Sequence, residues 1–277
     1  MRAVLVTGAS QGIGAAAALR LDALGFRVFA GVRSEPDGHA LRRKGSPSLT
    51  PVTLDVTKPQ TIKSAVETLE AGGPYGFVGL VNNAAISAPC PLEFVPLDEV
   101  RAEFEVNLFG TLAVTQAMLP VVRDAGAGRV VNVSSINGRL AQRYIGVYSA
   151  SKFALEGMSD ALRRELRRWG IHVVVVQPGA VETRIFQTVR ERGRIIAERL
   201  PPAARALYGG LVNGLVRAQP AKIPPQAVAP ERAARTITRA LTARRPRTRY
   251  AVGWDARVGL LLHRLLPDRL EDLLLGR

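Results

Sequence analysis

Tyr148 and Lys152, within Tyr148-Ser149-Ala150-Ser151-Lys152, are the residues of this chain best suited to moving a proton. They open a segment that reads as helix over 148–169, and positions i and i+4 project from one helix face. A phenol keeps its proton to about pH 10, and a neighbouring ammonium favours the phenolate. The spacing therefore predicts an acid/base pair working on a hydroxyl, with Lys152 lowering the phenol pKa. The same spacing also fits an ordinary solvated helix face, so the elements around the pair must decide.

Those elements alternate. Residues 3–7 are a short apolar run of the kind buried on both faces of a parallel sheet. Gly8-Ala9-Ser10-Gln11-Gly12-Ile13-Gly14 follows, then an Ala/Leu-rich helix to about 24 with Gly25 placed to end it, then a second strand over 27–32. A glycine cluster between strand and helix is informative, whereas three close glycines alone are not. Further strands are expected over 49–54, 77–81, 129–133, 171–176 and 248–252. Helices are expected from a Thr57 cap to about 71, over 97–122 in two pieces, and over 230–243. Repeated strand-helix units imply a parallel sheet covered on both faces. Residues 184–228 break the pattern with helical patches and several prolines, too long for a plain connection and suited to a lid or binding loop. The tail, 258–275, is Leu-rich and amphipathic. No linker or repeat divides the chain, so it reads as one domain: a core over 1–183, the insertion over 184–228, and the last helix, strand and tail over 229–277.

Composition narrows the functional classes. The chain has 277 residues and is 47% hydrophobic, enough for a sizeable core. One cysteine, Cys90, allows no internal disulfide; it suits a reducing cytoplasm and reads as a small inert apolar residue. His39, His172 and His263 lack metal-ligand spacing, so no metal is expected. No secretory signal is apparent, and no run of about 18 apolar residues suggests a membrane span. The formal net charge is +15, and residues 184–250 supply +12 of it, with 15 Lys and Arg against Glu191, Glu198 and Glu231. Such a segment suits nucleic acid, an anionic membrane surface or an acidic ligand, or is simply an Arg-rich solvated surface. A nucleic-acid binder would need a helix-turn-helix signature, zinc spacing or basic residues interleaved with aromatics, and the sequence offers none.

In an open α/β sheet, ligands bind beyond the carboxyl ends of the strands. Gly8, Gly12 and Gly14 end the first strand, Asp55 the third, Asn82 the fourth, Ser135 the fifth and Pro178-Gly179 the sixth. One edge thus collects a phosphate cradle, in which glycines admit the backbone and the helix N-terminus favours negative charge, together with a hydroxyl and the Tyr/Lys pair.

These motifs, Thr7-Gly8-Ala9-Ser10-Gln11-Gly12-Ile13-Gly14, Asn82-Asn83-Ala84, Asn107, Ser135, Tyr148 to Lys152 and Pro178-Gly179-Ala180-Val181-Glu182-Thr183, resemble the short-chain dehydrogenase/reductase family in order and spacing. The resemblance covers essentially the whole chain. It implies a Rossmann-type, doubly wound, seven-stranded parallel sheet and hydroxyl/carbonyl redox chemistry with a nicotinamide cofactor. Tyr148 would be the general acid/base, Lys152 would lower its pKa and bind the nicotinamide ribose, Ser135 would bind the substrate oxygen, and Asn107 would hold a relay water. The implied cofactor contacts are Gly8, Ser10, Gln11, Gly12, Ile13, Gly14, Arg33, Asp55, Val56, Asn82, Ala84, Tyr148, Lys152, Pro178, Gly179, Val181 and Thr183, with Asp55 and Val56 at the adenine. Family members usually pair through the 148–169 helix and the region near Asn107, so a homodimer or homotetramer is expected.

Cofactor choice turns on the end of the second strand. A carboxylate there accepts from the ribose 2′-hydroxyl of NAD, whereas an arginine meets the 2′-phosphate of NADP. Val32 stands in the acid's place and Arg33 follows, which favours NADP(H). Gln11, where many NADP-preferring relatives carry a basic residue, leaves NAD(H) open. Phe153-Ala154-Leu155-Glu156-Gly157, Pro246-Arg247-Thr248-Arg249-Tyr250 and Gly253-Trp254-Asp255-Ala256 resemble the retinol and 17β-hydroxysteroid dehydrogenase branch. They imply a lipophilic alcohol or ketone, with the apolar residues of 184–228 as a pocket wall. The basic insertion and tail are also compatible with membrane-surface contact. A catalytically silent nucleotide sensor on the same fold is the alternative from another class; it would be favoured by a broken Ser/Tyr/Lys set, and this set is intact.

Overall fold

The computed structural model describes residues 1–216 and 223–275. Arg217, Pro220 and Lys222 of the basic insertion lie outside the described residues. Seven strands, β1 (Arg2–Val6), β2 (Arg27–Val32), β3 (Leu49–Thr53), β4 (Phe77–Asn82), β5 (Gly128–Val133), β6 (His172–Pro178) and β7 (Arg249–Val252), form one sheet in the order β3-β2-β1-β4-β5-β6-β7. Every pairing is parallel. The order reverses between β1 and β4, so a crevice opens there at the carboxyl edge.

Alternate residues of each strand feed two cores, as the two-residue period of a strand requires. Val4, Val6, Val28, Ala30, Val131 and Val174 face one side, where α1 (Gly12–Ala23) and α9 (Pro230–Thr242) bring Ala17, Leu21, Ala233 and Ile237. Ala3, Leu5, Phe29, Leu80, Val130 and Val173 face the other, under α3 (Pro59–Glu70) and α5 (Thr111–Asp124). Helix α6 (Gly146–Glu165) packs beside β6 and ends in a 3-10 turn, Leu166–Trp169, closed by the left-handed Gly170 (φ 68°).

Several sequence expectations change. The helical stretch at 97–122 does not divide into separate helices: α4 (Leu97–Phe104) passes through a π-helical turn, Glu105–Gly110, straight into α5. The wider turn places Gly110 against β3's exit loop, where an added Cβ would lie 2.7 Å from Val56 Cγ2. At 28 residues, Leu97–Asp124 is long and apolar enough to cross a membrane by length and composition, contrary to the sequence reading. Its Val114, Met118 and Val122 are wholly buried on the sheet, the position of a core helix. Thr57 does not cap α3. Asp55 Oδ1 accepts from its amide (3.0 Å) and hydroxyl (2.7 Å), and the N-cap is Lys58, one residue later, with the helix starting at Pro59. A short polar helix, α2 (Glu35–Arg42), escaped the periodicity argument. Its signal is local: Ser34 accepts from Asp37 N, and Pro36 stands in the first turn.

The insertion is two helices, α7 (Ile185–Arg199) and α8 (Pro202–Val216), the second kinked at Tyr208. They share a small core of their own with the loop after β4: Ala88 and Cys90 meet Ile196, Leu200, Val212 and Leu215. Arg192 pairs with Glu99 at 2.7 Å, and Arg199 pairs with Asp98 at 2.8 Å, which fastens α7 to α4. Two further helices, α10 (Trp254–Leu265) and α11 (Asp268–Leu275), form the tail.

Candidate active site

The crevice is stitched at its base by Thr7 and Asn83. Thr7 Oγ1 accepts from Asn83 N (2.9 Å) and Ala84 N (3.0 Å), and Asn83 Nδ2 donates to Thr7 O and Gly8 O (both 3.1 Å). These bonds bring the glycine loop and the loop after β4 together. Gly8 (φ 63°) and Gly12 (φ 56°) occupy the left-handed region open to glycine. A Cβ on Gly14 would lie 2.2 Å from Gly8 O, and one on Gly12 would lie 3.0 Å from Thr183 Cγ2, so the loop and the β6 exit already touch. Gln11 is an extended N-cap without a side-chain cap bond, which leaves the first-turn N–H groups of α1, near Ser10 and Ile13, for an anion. The cradle fits a dinucleotide pyrophosphate.

The rest of the expected cofactor set is mostly where the spacing put it. Arg33 follows β2 and is exposed. Burial raises the Asp55 carboxyl, but the two hydrogen bonds from Thr57, then the charges of Lys58 and Arg33, hold it below its ordinary value. Val56 is buried beside Gly110, and Ala84 lies against Gly8. Pro178 closes β6; Gly179 N donates to Val252 O, and Val181 bridges to Val228. Asn82 differs in its side chain. Its carboxamide turns into the sheet, donating to Thr115 Oγ1 and Asn132 Oδ1 at 2.9 Å each, and so serves the core.

Across the crevice, Ser135, two residues past β5, hydrogen-bonds the Tyr148 phenol, while Lys152 Nζ donates to Val133 O at 2.9 Å and lies 5.6 Å from the centre of the Tyr148 ring. The expected lowering of the phenol is not what the structure shows. Burial pushes Tyr148 up to about 12; the Ser135 bond opposes this and the Glu103 charge adds to it. The cause is desolvation of a charged phenolate, unopposed here by an ammonium that faces the Val133 carbonyl. Burial likewise drives Lys152 down to about 8, against the pull of Glu156.

Asn107 sits on the π-helical turn, and such turns often mark functional sites. Its Oδ1 accepts from Ile86 N at 2.9 Å, and its Nδ2 donates to Ile86 O (2.9 Å) and Ser151 Oγ (3.0 Å). The carboxamide is thus committed to fixing α6 and the loop after β4, and the Asn107 main-chain carbonyl accepts from Thr111 Oγ1 at 3.1 Å. Ser151 completes the brace by donating to Tyr148 O at 2.8 Å.

With this geometry in view, the family model described as short chain dehydrogenase matches residues 2–194. The chain belongs to the short-chain dehydrogenase family. It is 37% identical over 278 residues to human retinol dehydrogenase 5, covering 98% of this chain and 87% of the relative. It is 37% identical to human 17-beta-hydroxysteroid dehydrogenase type 6, covering 99% and 87%. Among solved structures, a short-chain dehydrogenase from Streptomyces avermitilis matches with a TM-score of 0.76 at 31% identity, covering 99% of this chain and 94% of that one. One from Burkholderia cenocepacia J2315, solved in complex with NADP, matches at 0.75 and 26% identity, covering 99% and 96%. This short-chain dehydrogenase is an oxidoreductase acting on CH–OH groups.

The sequence reading assigned no role to Tyr144 or Glu103, although both shape the site of this dehydrogenase. Tyr144, just before α6, is held at φ 70° while its carbonyl accepts from Cys90 N at 2.7 Å, a strained backbone beside the site. Glu103 stands four residues before Asn107, which was the available signal. It is 1% exposed; Oε1 accepts from Ala88 N at 2.7 Å, and Oε2 has no hydrogen-bond partner among the described residues. Burial pushes this carboxyl up to about 7, against the Ala88 bond and the Arg192 charge, with Glu99 adding to the rise. From its ordinary value of 4.5 to about 7, the folded chain holds a proton that the unfolded chain has released, so stability falls as pH rises through this window. Glu103→Gln keeps an acceptor for Ala88 and removes the titration. The fall in unfolding free energy between pH 5 and 8 should shrink by about 2.5 kcal/mol relative to wild type, as read by denaturant unfolding. Parallel pH dependences would show that Glu103 does not titrate in the fold.

Proposed function

We propose that this enzyme is an NADP(H)-dependent dehydrogenase or carbonyl reductase that interconverts a hydroxyl and a carbonyl on a lipophilic substrate. The observation that carries the reading is the convergence of Ser135, Tyr148 and Lys152 on the crevice that also holds the glycine cradle. A bound nicotinamide dinucleotide supplies or accepts the hydride. The cradle from Gly8 to Gly14 takes the pyrophosphate, with Thr183 on the facing wall. Ser135 donates to the substrate oxygen and fixes it beside the phenol. Tyr148, protonated at neutral pH, gives its proton to that oxygen in reduction; in oxidation the proton passes from the substrate hydroxyl to the phenolate form of Tyr148. Lys152, as an ammonium, stabilises the phenolate left behind and reaches the ribose hydroxyls.

Arg33 past the end of β2, with the buried Val32 where an acid would read a ribose, supports NADP(H). Gln11, uncharged and exposed beside the cradle, favours NAD(H) as the second reading. The names of the two human relatives support a retinoid or steroid-like substrate. So does the wall around Tyr144 and Tyr208, whose rings meet edge to face at 6.3 Å. The chain is assigned to the cytoplasm as a homodimer or homotetramer, with reversible contact to an anionic membrane surface through the exposed Leu261, Leu265, Leu270 and Leu273 of the tail. Light scattering at micromolar concentration and cell fractionation read these assignments.

Three outcomes test the proposal on a panel of steroids, retinoids and aliphatic ketones followed by NADPH absorbance. Tyr148→Phe should keep cofactor binding and lose about 10²–10⁴-fold in turnover, the range for a general acid/base; near-normal turnover would remove Tyr148 from the chemistry. Arg33→Ala should weaken NADPH far more than NADH, since the 2′-phosphate is the sole difference between them, and equal losses would count against Arg33 as its reader. The insertion, 184–228, is proposed as a lid over the substrate. Its amides should exchange quickly in the free enzyme and slow with NADPH and substrate, whereas protection equal to the sheet strands without ligand would make it a fixed subdomain.

A further inference from the structure

Helix α6 carries more than the Tyr/Lys pair on its catalytic face. Tyr148, Lys152, Glu156 and Asp160 follow one another at intervals of four, so their side chains stack along a single stripe. The middle two are deeply buried, Lys152 at 2% exposure and Glu156 at 3%. Charged side chains are almost never this enclosed unless paired. Glu156 has its partners. Oε1 accepts from Gln177 Nε2 of β6 at 2.9 Å, and Oε2 accepts from Arg249 Nε of β7 at 2.8 Å. Arg249 continues to Asp160 Oδ2 at 2.8 Å, and Asp160 also holds Arg163 at 3.2 Å. The turn after Ser135 lies directly on this stripe: a Cβ on Gly138 would sit 3.0 Å from Glu156 Cγ and 3.1 Å from Lys152 O.

Taking a carboxylate out of water carries a desolvation penalty that an apolar side chain of similar volume would avoid. The group one turn away is Lys152, whose ammonium burial disfavours and the Glu156 charge favours. We propose that Glu156, clamped by Gln177 and Arg249, is a positioning residue that keeps Lys152 an ammonium beside Tyr148. This rests on the reading of Tyr148 and Lys152 as the working pair. The other charged or titratable groups around the stripe are Glu103, acting on Tyr148 from α4; Asp160 and Arg163 on α6; Arg249 on β7; and Arg139 and His263 at the mouth of the cleft that Glu156, Asp160 and Arg249 line. Arg249 joins β7 to this stripe.

The test reads Lys152 directly and needs neither substrate nor cofactor. The chain has five lysines, Lys44, Lys58, Lys63, Lys152 and Lys222, few enough to follow by NMR of lysine labelled at Cε, with Lys152→Arg to assign the signal. In Glu156→Gln, which preserves shape but keeps an acceptor for only one of Gln177 and Arg249, the Lys152 titration midpoint should fall by about one pH unit or more. Glu156→Asp retains the charge and draws it back by one methylene; its midpoint should lie between wild type and Glu156→Gln, and it serves alone if the Gln variant does not fold. In turnover, the alkaline limb of the pH–rate profile should move to lower pH with the midpoint. A midpoint unchanged in the variants, or reduced turnover with an unmoved alkaline limb, would make Glu156 a structural clamp and overturn the proposal. Because the titration is independent of catalysis, failure of the Tyr148 assignment and failure of this one are separately visible.

Discussion

The constraint on which the molecule depends is that all seven strands run the same way. A parallel strand is followed by a crossover on a face of the sheet, and the crossover must begin at the strand's carboxyl end. Every strand therefore delivers its exit loop to one edge. The reversal of order between β1 and β4 keeps the crossovers from covering that edge at its middle. Residues as far apart in sequence as Gly8, Ala84, Ser135 and Thr183 become neighbours for this reason, before any side chain has made a specific contact.

Polar groups in the interior then lock the edge into one geometry. Asn82 joins β4 to Asn132 of β5, and Asn132 Nδ2 reaches Ser159 of α6 at 2.8 Å. One level up, Asn107 spans from the loop after β4 to Ser151 on the same helix. An amide left unpaired at such depth costs about 1–3 kcal/mol, so these bonds specify how α6 is rotated and how far it slides. The rotation that satisfies Asn132 and Asn107 also turns Tyr148 and Lys152 toward Ser135. The π-helical turn at Glu105–Gly110 fits the same scheme, because an extra residue in the turn aims Asn107 at Ile86 while Gly110 lets the helix settle against Val56.

Electrostatics at the site runs against the simple expectation for a tyrosine beside a lysine. Burial dominates both groups, raising the phenol and lowering the ammonium, so the free enzyme holds a neutral acid next to a lysine close to losing its charge. This is a poised state: charge added nearby, whether from a carboxylate below Lys152 or from a ligand above it, changes both groups together.

The sequence by itself determined the order and type of nearly every strand, the glycine cradle, the residues Ser135, Tyr148 and Lys152, and the family. These rest on local signals: two-residue and helical periodicity, turn chemistry, and spacing within one element. Tertiary structure decided what depends on which face meets which. Asn82 has the composition of a ligand contact, yet its side chain alternates inward at the last position of β4 and joins the core. Thr57 has the composition of a helix cap, but Asp55 claims its hydroxyl. Glu103 and Glu156 stand on helices whose local pattern does not show that packing encloses them, one under Ala88 and one against Arg249. Whether a charged residue is solvated or buried is a property of the neighbours that other elements bring, and pairings separated by some ninety residues of chain, such as Glu156 with Arg249, leave no trace in local pattern.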